Sequence, residues 1–183
     1  MLSAEDWYEA FYGAYPQFPA IDRVLRGRKV SDSEWTRIMK NEFLPSLAKQ
    51  LGYTVAQETV RVDQLWNKKE NVEVAIEHEN DFTTIDTELG NLSTIDAPLK
   101  VLITYVGNRE LTWRPYELAE RVRQHLDRRQ KPGEFLLLVT DERGKEWSAF
   151  KYAPRLVAQM SVLPPPTPGR KAARTRRRAV DVN

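Results

Sequence analysis

The fold is organised around the stretch Val72-Glu73-Val74-Ala75-Ile76-Glu77-His78-Glu79-Asn80. Its apolar residues alternate with other residues at period two, which predicts a β-strand. The same alternation places Glu77 and Glu79 on one face of the strand and His78 on the other. Two carboxylates on one face repel each other unless a cation or a hydrogen-bond donor lies between them. The stretch therefore predicts a strand and, on one of its faces, a site that attracts positive charge.

A second strand is predicted just upstream, at residues 60–66, because apolar residues again alternate there. The polar residues between the two strands suit a hairpin turn. Antiparallel pairing across this turn places Asp63 opposite Ala75 or Glu77. Asp63, Glu77 and Glu79 are then expected to converge on one patch. Carboxylate oxygens in such a patch are suited to binding Mg²⁺ or Mn²⁺.

These acidic residues resemble the motif of the PD-(D/E)XK nuclease superfamily, whose members have the restriction-endonuclease-like fold. The family pattern is an Asp on one strand and Glu-x-Lys on the next; Asp63 and Glu77 match its two acidic positions. Glu79 stands where the family usually has Lys, although some restriction enzymes of the superfamily also have Glu there. By this resemblance, Asp63 and Glu77 are metal ligands, and Glu79 adds a ligand or orients the attacking water. The resemblance thus implies a divalent-metal-dependent nuclease, with DNA as its expected substrate.

The departure at Glu79 leaves the usual amine of the motif unassigned. Lys100, on a later predicted strand, and Lys68 or Lys69, in the hairpin, are the candidates for this role. We include Lys100 in the predicted catalytic set, together with Asp63, Glu77 and Glu79.

The order of elements around the motif strengthens the resemblance. A helix at 31–50, strands at 53–59, 60–66 and 72–80, a helix capped by Thr83 or Thr84, and an apolar strand at 99–106 are predicted. This αβββαβ order is the core of the restriction-endonuclease-like fold. The predicted fold class is therefore α/β, with a mixed central sheet flanked by helices.

Glu42 is a fourth candidate metal ligand, and it lies in the helix that precedes the sheet. Counting about 100° per residue from Trp35 puts Ile38 at about −60° and Glu42 at about −20°, in the middle of the apolar face. A carboxylate inside such a face is unfavourable unless it is paired. Glu42 is therefore expected either to reach the metal site, as in several members of the superfamily, or to pair with an Arg or cap a backbone group.

The second half of the chain offers two groups of candidate nucleic-acid ligands. Arg114, Arg121 and Arg128 recur every seven residues along a helix predicted from Pro115 to about residue 129. Such a stripe either holds phosphates or is a solvated helix flank. Strands are predicted after this helix at 135–140 and 147–152, the second as a last, edge strand. The other group, Arg176, Arg177 and Arg178, lies near the C-terminus.

The chain divides into three predicted segments. Residues 1–30 form an N-terminal helical extension, 31–163 an endonuclease-like α/β domain, and 164–183 a Pro-rich and then Arg-rich tail that is expected to be disordered. The tail has six basic residues and one acid, a charge of +5, so the overall charge of +2 leaves −3 for residues 1–163. Any affinity for nucleic acid must then come from local patches or from the tail, acting as a non-specific phosphate tether.

Composition excludes several other classes of protein. The chain has no Cys, which rules out disulfides and thiolate metal sites and suits a reducing cytoplasm. It has no apolar run of transmembrane length and no signal-peptide pattern, so we expect a cytoplasmic protein without a membrane partner. The alternative to a nuclease is a catalytically inactive endonuclease-like protein. Such a protein would act as a binding or scaffold subunit in a nucleic-acid-processing or defence complex, with a protein partner or as a homodimer.

Overall fold

The computed structural model describes most of the chain. The described residues are 2–59, 61–107, 110, 113–129, 133–141, 144–153 and 160–165, excepting the side chains at 58, 59, 82, 129 and 160. The tail predicted to be disordered at 164–183, with Arg176, Arg177 and Arg178, lies outside these residues apart from its first two prolines.

Among the described residues, helices lie before the first strand, between the third and fourth strands and between the fourth and fifth strands. The helices are α1 (Ala4–Ala14), α2 (Pro19–Leu25), α3 (Asp32–Arg37), α4 (Leu44–Gln50), α5 (Ile85–Thr94) and α6 (Arg114–Arg129). The strands are β1 (Thr54–Thr59), β2 (Val62–Lys68), β3 (Asn71–Glu79), β4 (Leu99–Val106), β5 (Glu134–Asp141), β6 (Trp147–Tyr152) and β7 (Met160–Leu163). Short 3-10 turns lie at Tyr15–Gln17 and Phe82–Thr84, and a π-helical segment, Ile38–Phe43, joins α3 to α4.

The strands form one mixed sheet in the order β1-β2-β3-β4-β5-β6-β7. Strands β1, β2 and β3 are antiparallel neighbours, β3, β4 and β5 are parallel, and β6 and β7 are again antiparallel. The parallel strands β4 and β5 are buried almost throughout, because helices cover both faces of the sheet. The predicted α/β class, with a mixed sheet flanked by helices, is confirmed.

The predicted strand at 72–80 is strand β3, and the strand predicted at 99–106 has the bounds of β4. The prediction that the strand at 147–152 is the last, edge strand is wrong. Strand β7 follows it and pairs antiparallel with β6, from Ala149↔Leu163 to Tyr152↔Met160. Four residues without clear alternation carry too little periodic signal to predict a strand, so this pairing appears only in the folded chain.

Two hydrophobic clusters lie on the two faces of the sheet. The first packs α1 to α4 against one face, and it contains Trp7, Trp66 and Ile103. The second packs α5 and α6 against the opposite face, and it contains Ala75 and Leu102. Among the described helices, none combines the length and apolar character that crossing a membrane requires.

The N-terminal helices take part in the first of these clusters. Trp7 and Phe11 of α1 are fully buried, and the Trp7 ring lies 5.2 Å from the Phe11 ring and 5.7 Å from the Trp66 ring of β2. Residues 1–30 therefore contribute core side chains to the sheet. Their treatment as a separate extension stays a prediction.

Gly144, between β5 and β6, is closely enclosed by the N-terminal helices. Its φ is +64°, and a Cβ at this position would overlap the Tyr15 hydroxyl and approach the Trp35 ring to 3.0 Å. The Tyr15 hydroxyl also donates a hydrogen bond to the Gly144 carbonyl at 2.9 Å. We expect Gly144→Ala to lower the free energy of unfolding by about 2 kcal/mol or more, from backbone strain and overpacking together.

Gly90 provides the matched control, because it lies in α5 and a Cβ added there would meet only open space. Gly90→Ala is expected to leave the free energy of unfolding unchanged or to raise it by up to about 1 kcal/mol. Urea unfolding of both variants makes the comparison. Equal stability of the two variants would contradict this packing of Tyr15 and Trp35 against Gly144.

Candidate acidic site

Asp63 and Glu77 meet where β2 and β3 run side by side. The observed register pairs Gln64 with Ile76, and continuing it by one residue sets Asp63 across from Glu77. The Asp63 backbone N–H donates to Glu77 Oε2 at 3.0 Å, and the His78 backbone N–H donates to Asp63 Oδ2 at 2.9 Å. Each carboxylate thus accepts a backbone hydrogen bond from the strand opposite, which fixes the pair relative to the sheet.

Lys40 supplies a positive charge at this pair. Its Nζ lies 2.6 Å from Asp63 Oδ1, in an ion pair whose two side chains are each about one-fifth exposed. Lys40 belongs to the π-helical segment Ile38–Phe43. This lysine was not among the residues predicted from the sequence.

Glu77 is almost fully buried, with 2% of its surface exposed. Burial raises the pKa of the Glu77 carboxyl to about 9, and the neighbouring Asp63 and Glu88 carboxylates act in the same direction. Glu88 lies on α5 and shares a hydrogen bond with Glu77. The Asn91 amide, one turn further along α5, donates to Glu88 Oε2 at 3.1 Å and lies 3.4 Å from Glu77 Oε1. At neutral pH, Glu77 therefore holds a proton beside Asp63.

Glu79 and Glu42 engage other partners. The Glu79 carboxylate accepts the backbone N–H of Asp81 at 2.7 Å, so it turns toward the loop after β3. Glu42 forms an ion pair with Arg37 and is partly exposed. This pairing is the second of the two outcomes that the sequence left open for Glu42. Roles for Glu79 and Glu42 as metal ligands stay predictions.

His78 lies beneath the site, on the opposite face of β3, as the alternation predicts. Its Nε2 is 2.6 Å from the Tyr105 hydroxyl. Burial lowers the pKa of His78 to about 4, against the opposing effect of the Asp63 carboxylate, so the ring is neutral at pH 7. His78 contributes to the site through its backbone N–H, which donates a hydrogen bond to Asp63 Oδ2.

The other candidate lysines lie on β4 and at the turn between β2 and β3. Lys100 is buried on β4, where it is paired with Ala75, two residues before the partner of Glu77. That offset is about 7 Å along the strand at 3.3 Å per residue. Lys68 extends over the Tyr53 ring at 5.6 Å, and Lys69 lies in the hairpin turn with φ of 58°. A catalytic role for Lys100 stays a prediction.

The predicted arginine stripe is largely paired with carboxylates. Arg114 contacts Glu110 at 2.8 Å and Glu117 at 3.0 Å, and Arg121 forms a two-bond pair with Asp86 of α5. Arg128 is exposed near the end of α6. Acidic partners reduce the charge that Arg114 and Arg121 offer to phosphates, so the pairing favours a solvated flank for this part of α6.

The donor chemistry of Asp63, Glu77 and Glu88 suits a hard divalent cation, because all three supply carboxylate oxygens. Within the described residues, no group of three or more His, Cys, Asp or Glu side chains is already arranged around a common metal position. In the described geometry, Lys40 pairs with Asp63, and the raised pKa of Glu77 keeps that carboxyl protonated at neutral pH.

Comparisons with known proteins assign no family to this chain. No model of a protein family matches the sequence, and no curated protein matches it at a significant level. The resemblance to the PD-(D/E)XK superfamily therefore depends on Asp63, on Glu77 and on the order of elements around them.

Three residues of the site, Glu88, Asn91 and Lys40, were not predicted from the sequence. Glu88 and Asn91 flank the buried stripe of α5, and their spacing of three residues was a detectable sign that both face the same neighbour. Lys40 gave no such signal, because its place in the site depends on the π-helical segment and on contacts with residues 17 to 24 positions away.

Proposed function

We propose that this protein is a divalent-metal-dependent nuclease with a restriction-endonuclease-like core, and that it hydrolyses phosphodiester bonds in DNA. The contact between Asp63 and Glu77 across neighbouring strands is the observation that supports the proposal most directly. The order of α3–α4, β1, β2, β3, α5 and β4 supports it as well, since it follows the αβββαβ order of that fold.

Each residue of the site would have its own role in the reaction. Asp63 and Glu77, with Glu88 beside them, would hold Mg²⁺ or Mn²⁺, which supplies an activated water and stabilises charge on the phosphodiester. Because its pKa is raised to about 9, Glu77 must release a proton before it acts as an anionic ligand at neutral pH. Asn91 donates toward Glu77 Oε1 and would keep that oxygen oriented.

The alternative is an endonuclease-like protein that has lost catalysis and serves as a binding or scaffold subunit. The observation that favours it is the neutralisation of Asp63 by Lys40, together with Glu79 in the position of the usual motif lysine. Nucleic-acid binding by Arg176, Arg177 and Arg178 is compatible with both functions.

Cleavage assays distinguish the two functions. The purified protein is incubated with duplex DNA, single-stranded DNA and RNA, each with Mg²⁺, Mn²⁺ or a chelator. We expect metal-dependent cleavage of DNA. Asp63→Asn, which keeps the shape and removes the charge, should lower the rate by about 100-fold or more, because it removes a metal ligand.

The matched control is Asp22→Asn, on α2, where the carboxylate forms an i,i+4 pair with Arg26 at the surface. This variant is expected to cleave at the wild-type rate. Wild-type protein without cleavage on every substrate would support the non-catalytic alternative. Full activity of Asp63→Asn, by contrast, would show that the active site lies elsewhere.

A further inference from the structure

We propose that Lys40 is the built-in counter-ion of Asp63, and that its ammonium competes with a divalent cation for this carboxylate. In the metal-free protein Lys40 pairs with Asp63 and orients its carboxylate. On metal binding it must give up Asp63 Oδ1. This inference rests on the proposed function, because it takes Asp63 to be a metal ligand.

The ion pair has the geometry of a strong contact. Lys40 Nζ and Asp63 Oδ1 are 2.6 Å apart, and the two side chains are 21% and 20% exposed. A pair this short is a charge-assisted hydrogen bond. Partial burial also protects it from the salt screening that weakens exposed pairs. The ammonium is therefore a substantial competitor for any second cation at this oxygen.

The backbone of Lys40 is anchored to the sheet. Its carbonyl accepts the side-chain amide of Gln64 at 2.5 Å and that of Gln57 at 3.2 Å. Gln64 is fully buried, and its side-chain Oε1 accepts the Trp66 indole N–H at 3.0 Å. Because π-helical turns bond i to i+5, the segment Ile38–Phe43 departs from the regular α-helical ladder where these side chains bind. These contacts hold Lys40 at the start of β2.

The second oxygen of Asp63 is already engaged. Asp63 Oδ2 accepts the backbone N–H of His78 at 2.9 Å, a bond that belongs to the contact between the two strands. A cation that binds Asp63 therefore gains most by replacing Lys40 at Oδ1, since that leaves the strand contact intact. The Lys40 ammonium then remains beside the site, because its backbone stays anchored.

The test measures Mn²⁺ affinity rather than cleavage. Lys40→Met removes the charge and keeps the length of the side chain, and Lys40→Gln is a second neutral variant in case Met perturbs folding. Mn²⁺ is titrated into each metal-free protein by calorimetry, and the melting temperature is recorded with and without Mn²⁺. We expect both neutral variants to bind Mn²⁺ roughly tenfold more tightly than wild type, or better, because a competing charge is gone. Lys40→Arg should keep an affinity near that of wild type.

Lys49→Met is the matched control for the loss of one positive charge. Lys49 is exposed in the last turn of α4, roughly 13 Å further along the helical axis at 1.5 Å per residue. This variant is expected to bind Mn²⁺ as wild type does. An equal gain in the Lys40 and Lys49 variants would reveal a general charge effect and would overturn the inference.

The outcomes separate this inference from the proposed function. Wild-type protein that binds Mn²⁺ as tightly as, or more tightly than, both neutral variants would overturn the inference while leaving the nuclease proposal intact. Binding by the neutral variants alone would support the inference and contradict a metal-dependent nuclease. If no protein binds Mn²⁺, both proposals are wrong.

Discussion

Glu77→Gln is expected to abolish both metal-dependent stabilisation and metal-dependent cleavage. In wild-type protein, Mg²⁺ or Mn²⁺ should raise the melting temperature, because a ligand that binds only the folded state stabilises it. Gln keeps the shape of Glu77 and can still accept the Asp63 backbone N–H, but it lacks the negative charge that a cation requires. Thermal melts with and without metal, together with cleavage assays, measure the two effects. A Glu77→Gln variant that keeps full metal-dependent cleavage would show that Glu77 is not a ligand.

The same substitution should change the pH dependence of stability in the metal-free protein. The folded-state pKa of Glu77 is raised from 4.5 to about 9, so the folded state binds more protons than the unfolded state between these values. The free energy of unfolding therefore falls as pH rises through this window. The total loss is on the order of several kcal/mol. Glu77→Gln removes this component, so the difference between variant and wild type should grow from pH 5 to pH 9.

Glu9→Gln is the control for this pH series, because Glu9 is exposed on α1. Its free energy of unfolding should follow the wild-type curve at every pH. Should Glu77→Gln follow that curve as well, Glu77 would not hold a proton in the folded protein, and its raised pKa would be wrong.

Trp7→Ala is expected to cost about 3–5 kcal/mol of stability, because Trp7 is fully buried between Phe11 and Trp66. The free energy of unfolding of a typical domain is about 5–15 kcal/mol, so this loss would be a large part of it. Removal of residues 1–30 should therefore prevent folding of the remaining chain. Urea unfolding of the point variant and circular dichroism of the truncated protein measure these effects.

Trp113→Ala is the matched control, since the Trp113 ring is 48% exposed at the start of α6. It is expected to cost less than about 1 kcal/mol, mainly from its stacking with the Arg114 guanidinium. A truncated protein that folds with the wild-type melting temperature would establish residues 1–30 as a detachable extension, as the sequence predicted. A protein that fails to fold would make them part of a single domain.

The amino-acid sequence by itself determined the features that depend on neighbouring residues. Continuous apolar character at 99–106 predicted β4 with its observed bounds, and alternation predicted β3. The same information limited the residue opposite Asp63 to Ala75 or Glu77, because a short hairpin restricts the register of its two strands. The observed register, which shifts between Trp66 and Asn67, sets Asp63 across from Glu77. Periodicity and turn chemistry act within a few residues, so the sequence shows them directly.

Only the tertiary structure decided which other groups surround that contact. Glu42 was predicted to face inward by regular helical phase, but it lies in the π-helical segment, where the rotation per residue is smaller, and it pairs with Arg37. Lys40 reaches Asp63 because Gln57 and Gln64, from two strands, bind its carbonyl. The pKa of Glu77 likewise depends on burial beneath α5. These contacts join residues that are far apart in sequence. They form only when the helices pack on the sheet.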